Sequence, residues 1–419
     1  MHAHSPWRVR DFRVLFGATV LSQLGSSVGY VAVPLIAVVA LDARPAQVGA
    51  LASLSTIAFL LIGLPAGAWV DRMRQRRVLI VADLARAALF ASVPLAWTLD
   101  ALTLGQLYLV VLLAGGATVF FDVGSQSVLP QLVGRDGLVQ ANAAVVSLIA
   151  AGNVAGRGAG GALVQSLTAP LAVAGTSLAY LASALRLTAI RRTPPPPPAP
   201  RSRVRLGAQI GAGLRHVLGN RELRALALTA ALGNLGSQIV NTMLPILFVR
   251  DLGLPAGALG LFWAAGGAGL LVGARCAGPI AARLGFGRTL GLVGICMAPA
   301  GLLVPLLDRG PWLWLAAAGW ALALFKTGLD NVLGVSLRQR MTPDHLLGRM
   351  NATFRFLLTG ALALGAAVAG LVGELAGVQI TLWVGAAFMA TAFLPVWFSP
   401  VRTRRELPVQ ERAVELARR

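Results

Sequence analysis

The chain repeats itself at a spacing of 211 residues, and both copies are strings of apolar segments long enough to cross a membrane. Asp11-Phe12-Arg13 opens the first copy and Glu222-Leu223-Arg224 the second. Leu24-Gly25-Ser26 returns as Leu235-Gly236-Ser237, Pro34 as Pro245, Gly49 as Gly260, Gly67 as Gly278, Arg72 as Arg283 and Arg77 as Arg288. In hydrocarbon every backbone polar group must bond internally, which leaves only helices and closed barrels. Barrel strands alternate polar and apolar residues, and these segments do not. The repeat therefore restricts the fold to paired helical bundles.

Composition agrees. Hydrophobic residues make up 56% of the chain and charged residues 12%, too apolar for an ordinary soluble domain. The apolar runs divide into twelve spans, roughly 14–41, 46–70, 78–99, 102–127, 139–165, 170–190, 225–249, 255–282, 289–307, 311–337, 351–373 and 377–398. The expected fold is an all-α integral membrane protein with twelve transmembrane helices in two six-helix bundles. The bundles occupy 1–190 and 225–398. Between them, 191–224 is a Pro/Arg-rich cytoplasmic linker with a proline run at Pro194–Pro198 and a short surface helix over 206–220. Residues 399–419 form a cytoplasmic tail.

The net charge of +20 is a topology signal. Most of the 36 basic residues fall in the termini and the even-numbered loops, and only Arg44, Arg250 and Arg309 in the odd-numbered ones. By the positive-inside rule this places both termini in the cytoplasm of a multi-pass protein of the cell (inner) membrane. Membrane lipids are the implied partners of that charge and nucleic acid is not.

Ionisable groups within hydrocarbon cost roughly 2.5–3.5 kcal/mol each and mark function or pairing. Lys326, the only lysine, lies in span 10 with Asp330 at i+4 on the same face. This pair either lines a cavity, with Lys326 on the substrate and Asp330 carrying a proton, or orients its helix. Asp83 and Arg86 stand at i and i+3 on span 3 and read as a structural pair. Span 1 offers Gln23, Ser26, Ser27 and Tyr30, and span 7 offers Asn234, Ser237, Gln238 and Asn241, spaced to form one polar face each. Facing each other, these helices would line a central cavity. No G-x-x-x-x-G-K-[ST] loop is present, so ATP hydrolysis is not expected. Cys276 and Cys296 fit no disulfide framework, and the four histidines fit no metal site. No nucleophile–base arrangement suggests an enzyme, and no cofactor is implied.

Between spans 2 and 3 the chain reads Gly67-Ala-Trp-Val-Asp71-Arg72-Met-Arg74-Gln75-Arg76-Arg77. This resembles the cytoplasmic signature of the major facilitator superfamily. DFRVLF, QVGAL, VFFD and SLRQRMTPDHLLGRMNATFRF are similar to its drug- and siderophore-exporting branch, which includes macrolide-efflux-like and enterobactin-exporter-like proteins. The resemblance implies a conformational gate at Gly67, Asp71, Arg72 and Arg76, completed by an acid on span 4, here Asp122. It implies that spans 1, 4, 7 and 10 line the cavity, with Asp122 and Asp330 titrating. Gly152 to Gly161 is similar to the antiporter signature of helix 5, with Arg157 in place of its proline. That arginine either adds a contact for an anionic group or weakens the antiporter reading. The function expected is proton-coupled efflux of a hydrophobic or amphipathic small molecule by alternating access. Substrate-facing residues would be Gln23, Tyr30, Arg157, Asn234, Gln238 and Lys326. An importer of the same fold, a translocase of lipid-like substrates and a non-transporting scaffold or sensor are the alternatives.

Overall fold

The computed structural model describes residues 6–70, 73–191, 206–343 and 346–404. Among them there are helices and no strands. In chain order the α-helices are α1 (Arg10–Leu35), α2 (Pro45–Val70), α3 (Gln75–Thr98), α4 (Leu104–Ala151), α5 (Arg157–Leu167), α6 (Ala169–Leu187) and α7 (Leu206–Gly219). They continue as α8 (Arg221–Pro245), α9 (Ala256–Leu284), α10 (Phe286–Met297), α11 (Pro311–Arg340), α12 (Leu347–Ala376), α13 (Val378–Thr391) and α14 (Leu394–Trp397). Eleven helices among the described residues are long and apolar enough to cross a membrane. The remaining expected span, 139–165, is helical too, but in pieces. Gly134 breaks α4 with φ 68°, and a π-turn at Gly152–Gly156 separates the end of α4 from α5.

The repeat is visible in backbone geometry. Pro34 and Pro245 each lack an amide hydrogen, and each is followed by a widened π-helical turn, Ile36–Ala40 and Ile246–Asp251. The closing bonds match. Leu41 N donates to Ile36 O and Leu252 N to Leu247 O, while Ala43 N donates to Ala37 O and Leu254 N to Phe248 O. The left-handed turns also recur, at Asp42 and Gly253, Asp100 and Gly310, and Thr168 and Gly377. In each pair the second copy carries glycine and the first a residue with a Cβ.

Even the acids that open the copies act alike. Asp11 accepts from the Arg191 amide at 3.5 Å, and Glu222 accepts from Arg404 Nε and Nη2 at 2.7 and 2.9 Å. Each ties the first helix of its copy to the chain leaving the last. The Glu222 hydrogen bonds hold the Arg404 guanidinium above its ordinary pKa. The stretch expected as a tail over 399–419 is folded as far as Arg404. Val401 is fully buried and Gly287 N donates to Arg404 O at 2.9 Å, so this stretch is folded against α10. The rest of the tail lies outside the described residues.

Residue contacts group into two compact units, Met1–Arg201 with Leu244–Ala264, and Ser202–Met243 with Ala265–Arg419. The first has a core of Phe12, Leu15, Leu79, Phe121, Val128 and Leu187. The second is built on Leu223, Leu226, Leu329, Leu333, Met350 and Phe354. In the second unit α9 and α11 touch through glycines. A Cβ on Gly273 would fall 2.7 Å from the Phe325 carbonyl carbon, and one on Gly328 2.8 Å from that of Leu270. Small residues let these backbones meet, as membrane helices require.

Candidate functional site

In the first unit the site is built around Arg157, the first residue of α5. Its guanidinium carbon lies 4.2 Å from the centre of the Tyr30 ring, and Nη2 donates to Asn153 Oδ1 at 3.3 Å. Among the described residues it has no acidic partner. Tyr30 also meets the buried Trp263 ring edge-on, with centroids 5.0 Å apart. A cation held on an aromatic face gains about 0.5–2 kcal/mol, more as water is excluded, while its charge stays uncompensated. Glycines on α5 permit this closeness. A Cβ on Gly161 would lie 2.9 Å from the Gly260 Cα, and one on Gly260 2.8 Å from the Arg157 carbonyl oxygen. Gln23 is half-buried and packs on Gly152, where an added Cβ would fall 2.6 Å from its Cγ.

The single polar face expected on α1 is in fact divided. Ser27 is buried and donates to Gly152 O at 3.2 Å, toward the π-turn before α5. Ser26 turns the other way, 2.9 Å from the Tyr180 hydroxyl on α6. Ser22 accepts from Arg86 Nη2 at 3.2 Å. Arg86 pairs with Asp83 and lies 4.3 and 4.5 Å from the Tyr180 and Phe121 ring centres. Ser183 Oγ sits within reach of both Asp83 Oδ2, at 2.6 Å, and Ala18 O, at 2.9 Å. Asp83 and Arg86 are 0% and 1% exposed, so this network knits α1, α3, α4 and α6 out of water's reach. Its position is that of a pair holding the helices of one unit together.

In the second unit Lys326 Nζ meets Asp330 Oδ2 at 2.5 Å, with side chains 7% and 19% exposed. The i, i+4 spacing on α11 brings them together. Asn234 donates to Ala230 O at 2.9 Å and Gln238 to the Thr242 hydroxyl at 3.3 Å, both along α8 itself. A Cβ on Gly365 would lie 3.1 Å from Gln238 Cβ, so α12 packs closely there.

Of the signature residues, Asp71 and Arg72 lie outside the described residues, and Gly67 is placed only as part of α2. Arg76, near the start of α3, donates to the carbonyls of Leu187 (3.4 Å) and Thr188, at the end of α6. It thus caps a helix C-terminus, where a cation is favoured. Asp122 is half-buried on α4, and its carbonyl accepts from Ser125.

Sequence alone does not show the contacts that Trp263 and Arg250 make. Arg250 Nη2 reaches Asp42 Oδ1 and Val38 O, both at 2.9 Å, joining the two π-turn loops. The one signal for these contacts was the repeat itself, which aligns the loops without saying that they touch. Among the described residues no group of three or more His, Cys, Asp or Glu is placed to hold a metal ion.

The profile described as "transmembrane secretion effector" matches residues 1–414. The enterobactin exporter of Salmonella choleraesuis (strain SC-B67) is 28% identical over 375 residues, covering 87% of this chain and 86% of its own. That of Escherichia coli O81 is 29% identical over 375 residues, covering 87% and 85%. Among solved structures, the nucleoside transporter NupG (D323A mutant) superposes with a TM-score of 0.77 at 14% identity, over 93% of this chain and 100% of that one. A bacterial homolog of the human lysosomal transporter Spinster gives 0.76 at 14%, over 97% and 100%. A bacterial homologue of the iron transporter ferroportin gives 0.70 at 19%, over 93% and 98%. At these identities the structures speak to the fold, and they share this one. The chain belongs to the transmembrane secretion effector family of the major facilitator superfamily, and is a multi-pass membrane transporter and not an enzyme.

Proposed function

We propose that this chain is a secondary exporter of a siderophore-like, amphipathic small molecule carrying an acidic group, driven by protons through alternating access. The observation that carries the substrate class is Arg157, a half-buried cation whose described partners are a neutral ring and a neutral amide. A guanidinium in that setting is a receptor for an anionic group, and Tyr30 beside it supplies an apolar face. The likeness to enterobactin exporters supports the direction and the class. Gln23 extends the same wall, and Asn234 and Gln238 serve the substrate from α8. Lys326 and Asp330 are the coupling centre. An acid held by a cation gives up or takes a proton when the pair opens, and Asp122 is its counterpart in the first copy. Asp71, Arg72 and Arg76, with Gly67, form the gate. The basic loops support a cytoplasmic placement of both termini in the cell membrane.

The test is transport by everted membrane vesicles. With an inward-acidic gradient they should accumulate an iron chelator bearing carboxylate or phenolate groups, and an uncoupler should abolish it. Accumulation of a neutral ester of the same compound at an equal rate would remove the role given to Arg157. Accumulation that ignores the uncoupler would remove proton coupling.

A further inference from the structure

A groove of about 470 Å³ opens in the second unit where α8 begins and the chain leaves α14. Three arginines line it, Arg221 and Arg224 from α8 and Arg402 from the 3-10 turn Pro400–Thr403. All three are exposed, and among the described residues none has an acidic partner. Glu222, the acid between the two α8 arginines, is fully engaged by the bidentate bond from Arg404. The groove therefore keeps an uncancelled positive charge.

Ser399 and Thr403 also line it, and its outward apolar wall is made by Leu228 and Phe398. Leu228 is 47% exposed and Phe398 80% exposed. Arg221, Arg224 and Leu228 stand at i, i+3 and i+7, on one face of α8. Leu228 lies about 10 Å along the axis from Arg221, at about 1.5 Å per residue. Since α8 is long and apolar enough to cross a membrane and Arg221 and Arg224 stand in its first turns, their position suits headgroup level, with Leu228 and Phe398 toward the acyl chains.

We infer that this groove is a binding site for the phosphate headgroup of an anionic membrane phospholipid, with an acyl chain laid over Leu228 and Phe398. Charge complementarity and the split between a cationic end and an apolar end match such a lipid. A soluble anion would use the first and leave the second bare. The inference is independent of what is transported and of how transport is driven.

The full-length protein is purified from membranes and reconstituted into nanodiscs of phosphatidylcholine with a minor fraction of phosphatidylglycerol. Retained lipid is then measured by native mass spectrometry. The wild type should keep phosphatidylglycerol preferentially. The triple variant R221Q/R224Q/R402Q should lose that preference at least several-fold. A variant with the same charge reduction elsewhere, R8Q/R10Q/R13Q, should keep it, since those exposed arginines stand at the start of the first copy. F398Q should weaken retention while leaving the charge intact. Equal loss in both triple variants would overturn the site in favour of diffuse attraction, and so would an unchanged preference in R221Q/R224Q/R402Q. Suppression of lipid retention by millimolar inorganic phosphate, with F398Q behaving as wild type, would overturn the lipid as occupant.

Discussion

The Arg157 guanidinium carbon rests 4.2 Å from the centre of the Tyr30 ring. Tyr30 comes from the long α1 and Arg157 from the short α5, and the contact depends on the π-turn Gly152–Gly156, which breaks the regular α-helix just before Arg157. If the cation receives an acidic group, charge and ring should separate on mutation. Arg157→Gln should reduce transport of an acidic chelator by at least tenfold and leave a neutral analogue nearly unaffected. Tyr30→Phe keeps the ring and should transport normally, while Tyr30→Leu should raise the apparent KM severalfold. Transport assays with the matched acidic and neutral compounds decide it, and equal losses for both would assign Arg157 to packing.

The Lys326–Asp330 pair is 2.5 Å apart and poorly exposed, so each charge depends on the other. Removing one partner of such a pair costs about 3–5 kcal/mol, whereas replacing both with apolar residues is close to neutral. Asp330→Asn should therefore lower the melting temperature in detergent and abolish proton-driven export. Lys326→Met with Asp330→Leu should recover the melting temperature and leave export abolished. Export by the double variant at the wild-type rate would make the pair structural.

Asp83 and Arg86 make the contrasting case. Their partners, Ser22, Thr118, Ser183 and the Tyr180 ring, come from α1, α4 and α6 of one unit, and the pair is almost wholly buried. Asp83→Asn should destabilise by about 3 kcal/mol or more, since it strands the guanidinium. Whatever protein still folds should show an unchanged KM and an unchanged pH profile. A shift in the pH profile with stability intact would move this pair into the transport cycle.

Much of this was legible in the chain, and the reason is that repeats and i, i+4 pairs are local or periodic. Pro34 and Pro245 marked equivalent positions of the two copies, and Lys326 and Asp330 announced a pair. Periodicity also placed Ser26, Ser27 and Tyr30 on one side of α1, but it carries no information about neighbours. Ser26 is taken by Tyr180 and Ser27 by the Gly152 carbonyl, two partners more than a hundred residues away. Trp263 against Tyr30 and Arg250 against Asp42 were hidden for the same cause. The ordered stretch to Arg404 was missed because a charged tail sequence conceals one arginine that Glu222 needs.

Glycine contacts between helices give a further expectation. Gly161 and Gly260 leave no room for a side chain, because a Cβ on either would press on the other backbone at 2.9 Å. Gly161→Ala should force α5 and the start of α9 apart by a few tenths of an ångström, and Gly161→Leu by much more. Transport should fall in that order while membrane insertion holds. Gly158→Ala is the control, since its Cβ would meet only Ala264 at an ordinary 3.8 Å. Equal activity of the Gly158→Ala and Gly161→Leu variants would show that the closeness is dispensable.

The left-handed turn at Thr168 offers a test in the opposite direction, a gain in stability. Thr168 adopts φ 77° and ψ 155°, a region that suits glycine and strains a β-branched residue by about 1–3 kcal/mol. Its repeat partner, Gly377, holds φ 86° and ψ 166° without that strain. Nothing in the Thr168 side chain repays the conformation, because it is exposed and makes no capping hydrogen bond. Thr168→Gly should therefore raise stability by about 1 kcal/mol, the strain relieved less the extra entropy of an unfolded glycine. Thr168→Ala removes the branch and keeps the Cβ, so it should recover only part of that gain. Gly377→Thr should destabilise by about 1–3 kcal/mol. Thermal unfolding of the three variants in one detergent measures all of these, and a melting temperature that falls for Thr168→Gly would show that the turn is not strained.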